Sequence, residues 1–299
     1  MTVTDELRAR LGRVGIWMPP PERIGVDPAE VAIAVESAGF SSLWTGGGNP
    51  GQAALDRIKL QLAATARLIA ATGIASVWSW DPGRLRTAAE DLDGAFPGRF
   101  ILGLGVSHAP AVEALGHTYQ RPLAKMEKFL DELGHPAGHG ADRPLPPIVL
   151  AALGPKMLDL SRVQALGTHP YFTTPEHTRF AREHLGPGSL VIPELAFTLA
   201  SPAEGAATAR AYADRYLKLP NYTNNLKRFG FGREDFAGTG SDRLISQVIP
   251  NGPEALRERI SAHLDAGADH VVIQPLDDGA FTATALNALA ETVADFLKP

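Results

Sequence analysis

The stretch "GRFILGLGVSHAP", residues 98–110, decides the fold. An almost unbroken apolar run climbs through Gly103 and Gly105 and stops on Ser107 and His108. A short run of this kind suits a strand buried on both faces, and such strands belong to parallel sheets covered by helices. It either ends at a phosphate-binding turn or delivers a histidine to a site. "GLGVSH" begins like a dinucleotide fingerprint but lacks the third glycine. It also falls in the fourth unit of a series rather than the first of an open sheet, so an open dinucleotide-binding sheet is set aside.

Outward from this stretch the chain alternates. "RVGIWMP" (13–19), "SSLWTG" (41–46) and "IAATGIASVW" (69–78) precede it as strand-like runs. "PIVLAAL" (147–153), "THPYFTT" (168–174), "LVIPELAFTL" (190–199) and "DHVVIQPL" (269–276) follow it. Helical segments lie between them. Two open on Asp-Pro, at Asp27-Pro28 and Asp81-Pro82, with aspartate placed to cap and proline at the first helical position. In the second, Leu85, Ala88, Ala89, Leu92 and Phe96 share one face at steps of three and four. Eight strand–helix units in one series predict an α/β fold, a single (β/α)8 barrel over residues 1–299. Insertions at its C-terminal face account for residues 134–147 and about 217–250.

Composition bounds the rest. The chain has 299 residues, 44% of them hydrophobic, with a formal net charge of −5. The charge argues against nucleic acid or an anionic membrane as partner. There are no cysteines, which excludes a disulfide scaffold, a thiolate nucleophile and a cysteine-held metal. The charged start "MTVTDELRARLGRVGIW" lacks a signal-peptide core, no apolar run reaches the ~20 residues that span a bilayer, and a cytoplasmic protein is expected.

A barrel of this kind carries its site at the C-terminal ends of the strands. His108 and His177 both fall there and are candidates for chemistry. Gly46, Gly47 and Gly48 follow the second strand, where they fit close ligand approach or a loose turn equally well. Lys156 opens a helix after Gly154-Pro155, where free backbone N–H groups suit a phosphate, although a plain surface lysine has the same look. Trp17, Trp44, Trp78 and Trp80 crowd the first three strand ends and either line a pocket for a flat ligand or pack the barrel rim. His135 and His139 have metal-like spacing but enclose Pro136 and Gly138, which reads as a solvated loop. His263 lies with Leu256, Ile260 and Leu264 and reads as a packing histidine. The segment 218–236 reads as a lid, an interface or a surface loop.

"PGRFILGLGVSH", "ATGIASVWSWDP", "AALGPKM" and "AGADHVVIQ" together resemble the luciferase-like oxidoreductase family, and most closely its branch that uses the deazaflavin coenzyme F420. The likeness runs over nearly the whole chain. It implies F420 across the barrel mouth, with FMN as the alternative cofactor, a small-molecule substrate and a homodimer; no metal is expected, because the sequence holds no His-Glu-x-x-His and no carboxylate cluster that resembles a metal site. It implies cofactor contacts at Ser76, Val77, Ser79, Val106, Ser107, Leu153, Gly154, Lys156 and Met157, with a non-prolyl cis peptide at Ser76-Val77 behind the ring. His108 matches a proton-transferring glutamate of a sugar-phosphate dehydrogenase in that branch, and Thr174 and His177 match substrate-phosphate positions there. Several relatives carry an Asp-His pair where this chain has Gly47-Gly48, which opens that corner to a bulkier substrate. The expected activity is hydride transfer between F420 and a small organic molecule. The alternatives are an FMN-dependent monooxygenase and a ligand-binding barrel without catalysis.

Overall fold

Phe100–Gly105 forms the longest strand of a wholly parallel sheet and is buried at every position. The computed structural model describes residues 2–46, 51–134 and 144–297. Its strands are β1 (Val14–Met18), β2 (Ser42–Thr45), β3 (Ile69–Thr72), β4 (Ala75–Ser76), β5 (Phe100–Gly105), β6 (Ile148–Leu150), β7 (Gly167–Thr168), β8 (Leu190–Val191), β9 (Glu194–Phe197) and β10 (Val271–Pro275). The hydrogen-bonded order is β8-β7-β6-β5-β3-β2-β1-β10-β9, with β4 also on β5.

Two pairs of these are halves of one barrel strand. β3 and β4 both pair with β5 and are split at Gly73-Ile74. β8 pairs with β7 and β9 with β10, and only Ile192 and Pro193 separate them. Proline has no N–H for the ladder, so the strand breaks there. Since β8 and β9 stand at opposite ends of the order yet adjoin in the chain, the sheet closes on itself. A parallel bridge from Tyr171 to Glu194 lies at that seam. The eight expected strands are therefore present, in the expected (β/α)8 arrangement.

The helix openings follow the sequence chemistry. Asp27 accepts from the N–H groups of Ala29 and Glu30 at 2.8 and 3.1 Å, and Asp81 from that of Arg84 at 2.9 Å. On the second of these helices, Pro82–Ala95, Leu85, Ala89 and Leu92 are buried against the outer face of the sheet. Gly103 sits where a Cβ would lie 2.0 Å from the Thr72 carbonyl oxygen, so β3 and β5 approach as closely as they do only because that residue is glycine.

Three features differ from the sequence expectation. An N-terminal helix, Val3–Leu11, opens on a capping box between Thr2 and Asp5. Its Leu7 and Leu11 pack with Trp44, Ile101, Val149 and Val272, filling the barrel interior from its N-terminal end. The run 168–174 forms strand only at its start, because Pro170 cannot donate and Phe172 adopts a left-handed φ of 53°. The non-prolyl cis peptide lies at Gly73-Ile74, not at Ser76-Val77. Ser76 instead ends the second half of the split strand and Val77 follows it, with the Val77 N–H on the Gly105 carbonyl at 3.0 Å. Among the described residues no helix is long and apolar enough to cross a membrane.

Candidate active site

At the C-terminal end of the barrel a cavity of about 400 Å³ opens between the ends of β1, β3, β5, β6, β7 and β9. The β5 end supplies Val106, Ser107 and His108. Ser107 has φ 57°, a left-handed turn uncommon for a residue with a side chain, and such turns cluster at functional sites. The turn leads into His108, which caps a short helix, Ala109–Glu113, without a side-chain hydrogen bond. The His108 ring lies 5.4 Å from that of Tyr222, and its Nδ1 is buried without a partner. Burial lowers its pKa below the usual 6.5, so the ring is neutral at pH 7 and suited to accept a proton.

Opposite stands the β6 end with Leu153, Gly154 and Met157. Gly154 caps the helix Pro155–Gln164 with no side-chain cap, and a Cβ placed there would meet nothing within 4 Å. The first N–H groups of that helix are therefore unfilled, and the approach to them is open. His177 supports this corner from below. It is fully buried, and its ring Nε2 donates to the Leu153 carbonyl at 3.1 Å. Burial pushes its pKa down to about 4, so it is neutral.

A third wall was not anticipated from the sequence. His169 and Glu194 both border the cavity and are almost fully buried. His169 stacks on Trp44, with ring centroids 4.4 Å apart. Its Nδ1 is 2.8 Å from the Ile192 carbonyl, an acceptor, which makes Nδ1 the protonated nitrogen. Its Nε2 lies 3.4 Å from Glu194 Oε2, close enough for an ion pair but without a well-formed hydrogen bond. Burial raises the Glu194 pKa, with His169 opposing. Around the pair stand Tyr171, Tyr212, Tyr216 and Tyr222. Tyr171 donates to Tyr212 at 2.5 Å, and Tyr212 to Gln274 at 2.9 Å. All four phenols are shifted upward, by burial first and with the Glu194 charge contributing to each. They are neutral hydroxyls.

The cavity thus gathers Val106, Ser107, His108, Leu153, Gly154 and Met157 from the sequence candidates. It does not include Ser76, Val77, Ser79, Lys156, Thr174 or His177 among its described lining. Val77 packs into the apolar layer outside the strands. Lys156 points to solvent. Thr174 precedes the helix Pro175–Leu185, buried, with its hydroxyl unpartnered. Gly47, Gly48, His135 and His139 lie outside the described residues. Of the tryptophans, Trp17 borders the cavity and donates to the Gly73 carbonyl at 2.9 Å, while Trp44 lies beneath it. Trp78 donates to the Val106 carbonyl at 2.9 Å, behind the β5 corner. The segment 218–236 contributes a helix, Pro220–Arg228, whose Asn221 and Tyr222 close one side. His263 is buried on the Thr178 hydroxyl at 2.8 Å, a packing histidine as expected. Among the described residues no three metal-ligating side chains cluster.

The residues missed had faint signals. Glu194 is a carboxylate inside the otherwise apolar "VIPELAF", and Tyr212 and Tyr216 stand one helical turn apart in "RAYADRYL".

Comparison with known proteins places the fold. A stretch of 128 residues is 31% identical to a Mycobacterium tuberculosis (strain H37Rv) protein that carries the provisional name coenzyme F420-dependent oxidoreductase. That stretch spans 42% of this chain and 36% of the relative. Among solved structures, an F420-dependent secondary alcohol dehydrogenase in complex with an F420–acetone adduct superposes with a TM-score of 0.73 at 14% identity, covering 96% of this chain and 99% of that one. The FMN-bound oxygenating component of 3,6-diketocamphane monooxygenase from Pseudomonas putida does so at 0.68 and 15% identity, over 95% and 98%. At these identities the superpositions speak for the fold. The family model for luciferase-like monooxygenases matches residues 27–295. The chain belongs to the luciferase-like monooxygenase family, a family of oxidoreductase enzymes.

Proposed function

We propose that the chain is an oxidoreductase that passes a hydride between coenzyme F420 and a small organic substrate. The observation that carries this reading is the shape of the cavity. One wall is formed by Gly73-Ile74 and Gly105 with the Trp17 and Ile74 side chains, which pack so closely over the two glycines that a Cβ on either would lie 2.6 Å from Trp17 Nε1 or Ile74 Cδ1. A flat ring system fits against such a wall. The open helix start at Gly154 fits the phosphate of the cofactor tail, because unfilled N–H groups and the helix dipole favour an anion. The stretch shared with the mycobacterial relative favours the deazaflavin over FMN.

When bound, the deazaflavin supplies the two-electron carrier carbon that gives or takes hydride. The chain's own residues do the remaining work. Val106 and Ser107 would bring backbone to the ring, and Leu153, Gly154 and Met157 would hold the tail. Tyr222 and Asn221 shut one side against water. His108, neutral and with Nδ1 free, takes the proton when a substrate hydroxyl is oxidised.

His108→Ala tests this assignment. The variant is expected to keep F420 binding, read by quenching of F420 fluorescence, and to lose turnover against a panel of small alcohols and carbonyl compounds. General-base loss costs about 100-fold or more. Unchanged turnover would remove His108 from the mechanism.

A further inference from the structure

We infer that the cavity takes an uncharged alcohol or ketone with an apolar body and rejects anionic substrates, sugar phosphates included. The inference rests on the hydride-transfer reading above and names the substrate class of that same site.

It starts from the charges that border the cavity. No lysine or arginine is among its described lining residues, and the one acid there is Glu194. An anion leaving water for this place would meet no countercharge, and an unpaired buried charge is costly. The histidines do not supply one. His108 is neutral at pH 7, because burial lowers its pKa. His169 keeps its Nδ1 proton on the Ile192 carbonyl. A second proton at its Nε2 would lie 3.4 Å from Glu194 and be balanced by that carboxylate. Tyr171, Tyr212, Tyr216 and Tyr222 bring neutral hydroxyls. Trp17, Ile74, Val106, Pro122 and Met157 add apolar surface.

The residues that the family resemblance offers for a substrate phosphate stand elsewhere. Thr174 and His177 are buried, and neither is among the described lining. His177 is neutral and spends its Nε2 on the Leu153 carbonyl at 3.1 Å. Cations nearby are turned to other partners. Lys125 lies 5.2 Å from the centre of the Trp78 ring, and Arg228 5.5 Å from that of Phe180. Arg23 and Arg215 line a second opening of about 490 Å³, which meets the first cavity at Trp17, Tyr212 and Tyr216. That opening also carries Asp277 and Asp278, so its formal charges balance. The helix start at Gly154 does favour an anion, and the reading above gives it to the cofactor tail. With that place filled, nothing in the described lining draws a second anion.

An uncharged substrate also agrees with the role of His108. The carbinol carbon passes hydride to F420, the hydroxyl proton goes to His108, and the ketone leaves. Reduction of the ketone runs the same steps backward. Neither direction needs a charge on the substrate.

Two ketones of one shape test this. In 4-acetylbenzamide an amide stands where 4-acetylbenzoate has a carboxylate, so the pair differs in charge and hardly in size. Calorimetry on wild-type protein loaded with oxidised F420, which cannot reduce them, should find the amide bound about 100-fold more tightly than the acid. The corresponding secondary alcohols should follow the same order in kcat/KM, read by loss of F420 fluorescence. Glucose 6-phosphate should give no reduction of F420. The acid bound as tightly as the amide overturns the inference, as does binding of neither, or reduction of F420 by glucose 6-phosphate. Failure of the protein to quench F420 on titration sinks the cofactor reading instead. The amide and the acid compared on the cofactor-free protein then still decide the charge preference of the cavity.

Discussion

The two ends of the barrel treat histidine differently. At the N-terminal end His270 is fully buried with both nitrogens engaged, Nδ1 on the Gly12 carbonyl at 3.0 Å and Nε2 on the Ser42 hydroxyl at 2.8 Å. At the C-terminal end His169 and His108 each keep one nitrogen unpartnered at a cavity wall. An unmet nitrogen is not enough to mark a site. His177 and His263 also carry one each, yet neither borders that cavity. The difference lies in the conjunction of an unmet polar atom and space for a ligand. The N-terminal end is closed by the Leu7 and Leu11 plug and serves stability, while the C-terminal end leaves polar groups to be met by what binds.

The comparison breaks first if the plug is not structural. Leu11→Ala should cost about 2–5 kcal/mol of stability, read by thermal or denaturant unfolding. The fraction that remains folded should bind F420 as wild type does. A loss of F420 affinity without a loss of stability would mean that the two ends are not separate in role.

The buried histidines give the next effect. His177, His263 and His270 are pushed down by burial to about 4, 3 and 4. In the unfolded chain each takes up a proton near pH 6.5. The unfolded state therefore binds more protons below that value. Their contribution is complete above about pH 6.5 and shrinks as the pH falls toward the native values, by about 1.4 kcal/mol per unit for each histidine. The unfolding midpoint should drop between pH 7 and pH 5, and less steeply in His263→Gln. A flat profile over that interval would contradict their neutral burial.

The smallest expected effect sharpens the contrast. A methyl group at Gly154 meets nothing in the protein. Gly154→Ala should leave the unfolding midpoint within about a degree or two of wild type, as for other surface changes of under ~0.5 kcal/mol. The same methyl should weaken F420 by roughly tenfold, equivalent to about 1.4 kcal/mol, if the phosphate sits at this helix start. Unchanged F420 affinity would move the tail elsewhere.

The fold was legible because its signals are local. Asp27, Asp81 and the prolines after them set helix starts within a few residues, and the apolar run from Phe100 suits a covered strand. The β5 and β6 corners were legible for the same reason, since a strand end fixes Ser107, His108 and Gly154 together. The plug helix was not, because its partners Trp44, Ile101, Val149 and Val272 come from strands scattered along the chain. Nor was the His169–Glu194 wall. His169 and Glu194 lie on different barrel strands, and neither neighbourhood shows that closure at Ile192-Pro193 brings them face to face. The cis peptide fell three residues from its expected place because β3 breaks at Gly73, where the backbone approaches Trp17, rather than at the end of the apolar run.

Titration of F420 with purified protein, following its fluorescence, with FMN run in parallel, tests the central claim most directly. The account predicts quenching of F420 with a dissociation constant at micromolar or below, and weaker binding of FMN. Preference for FMN, or binding of neither, would contradict it.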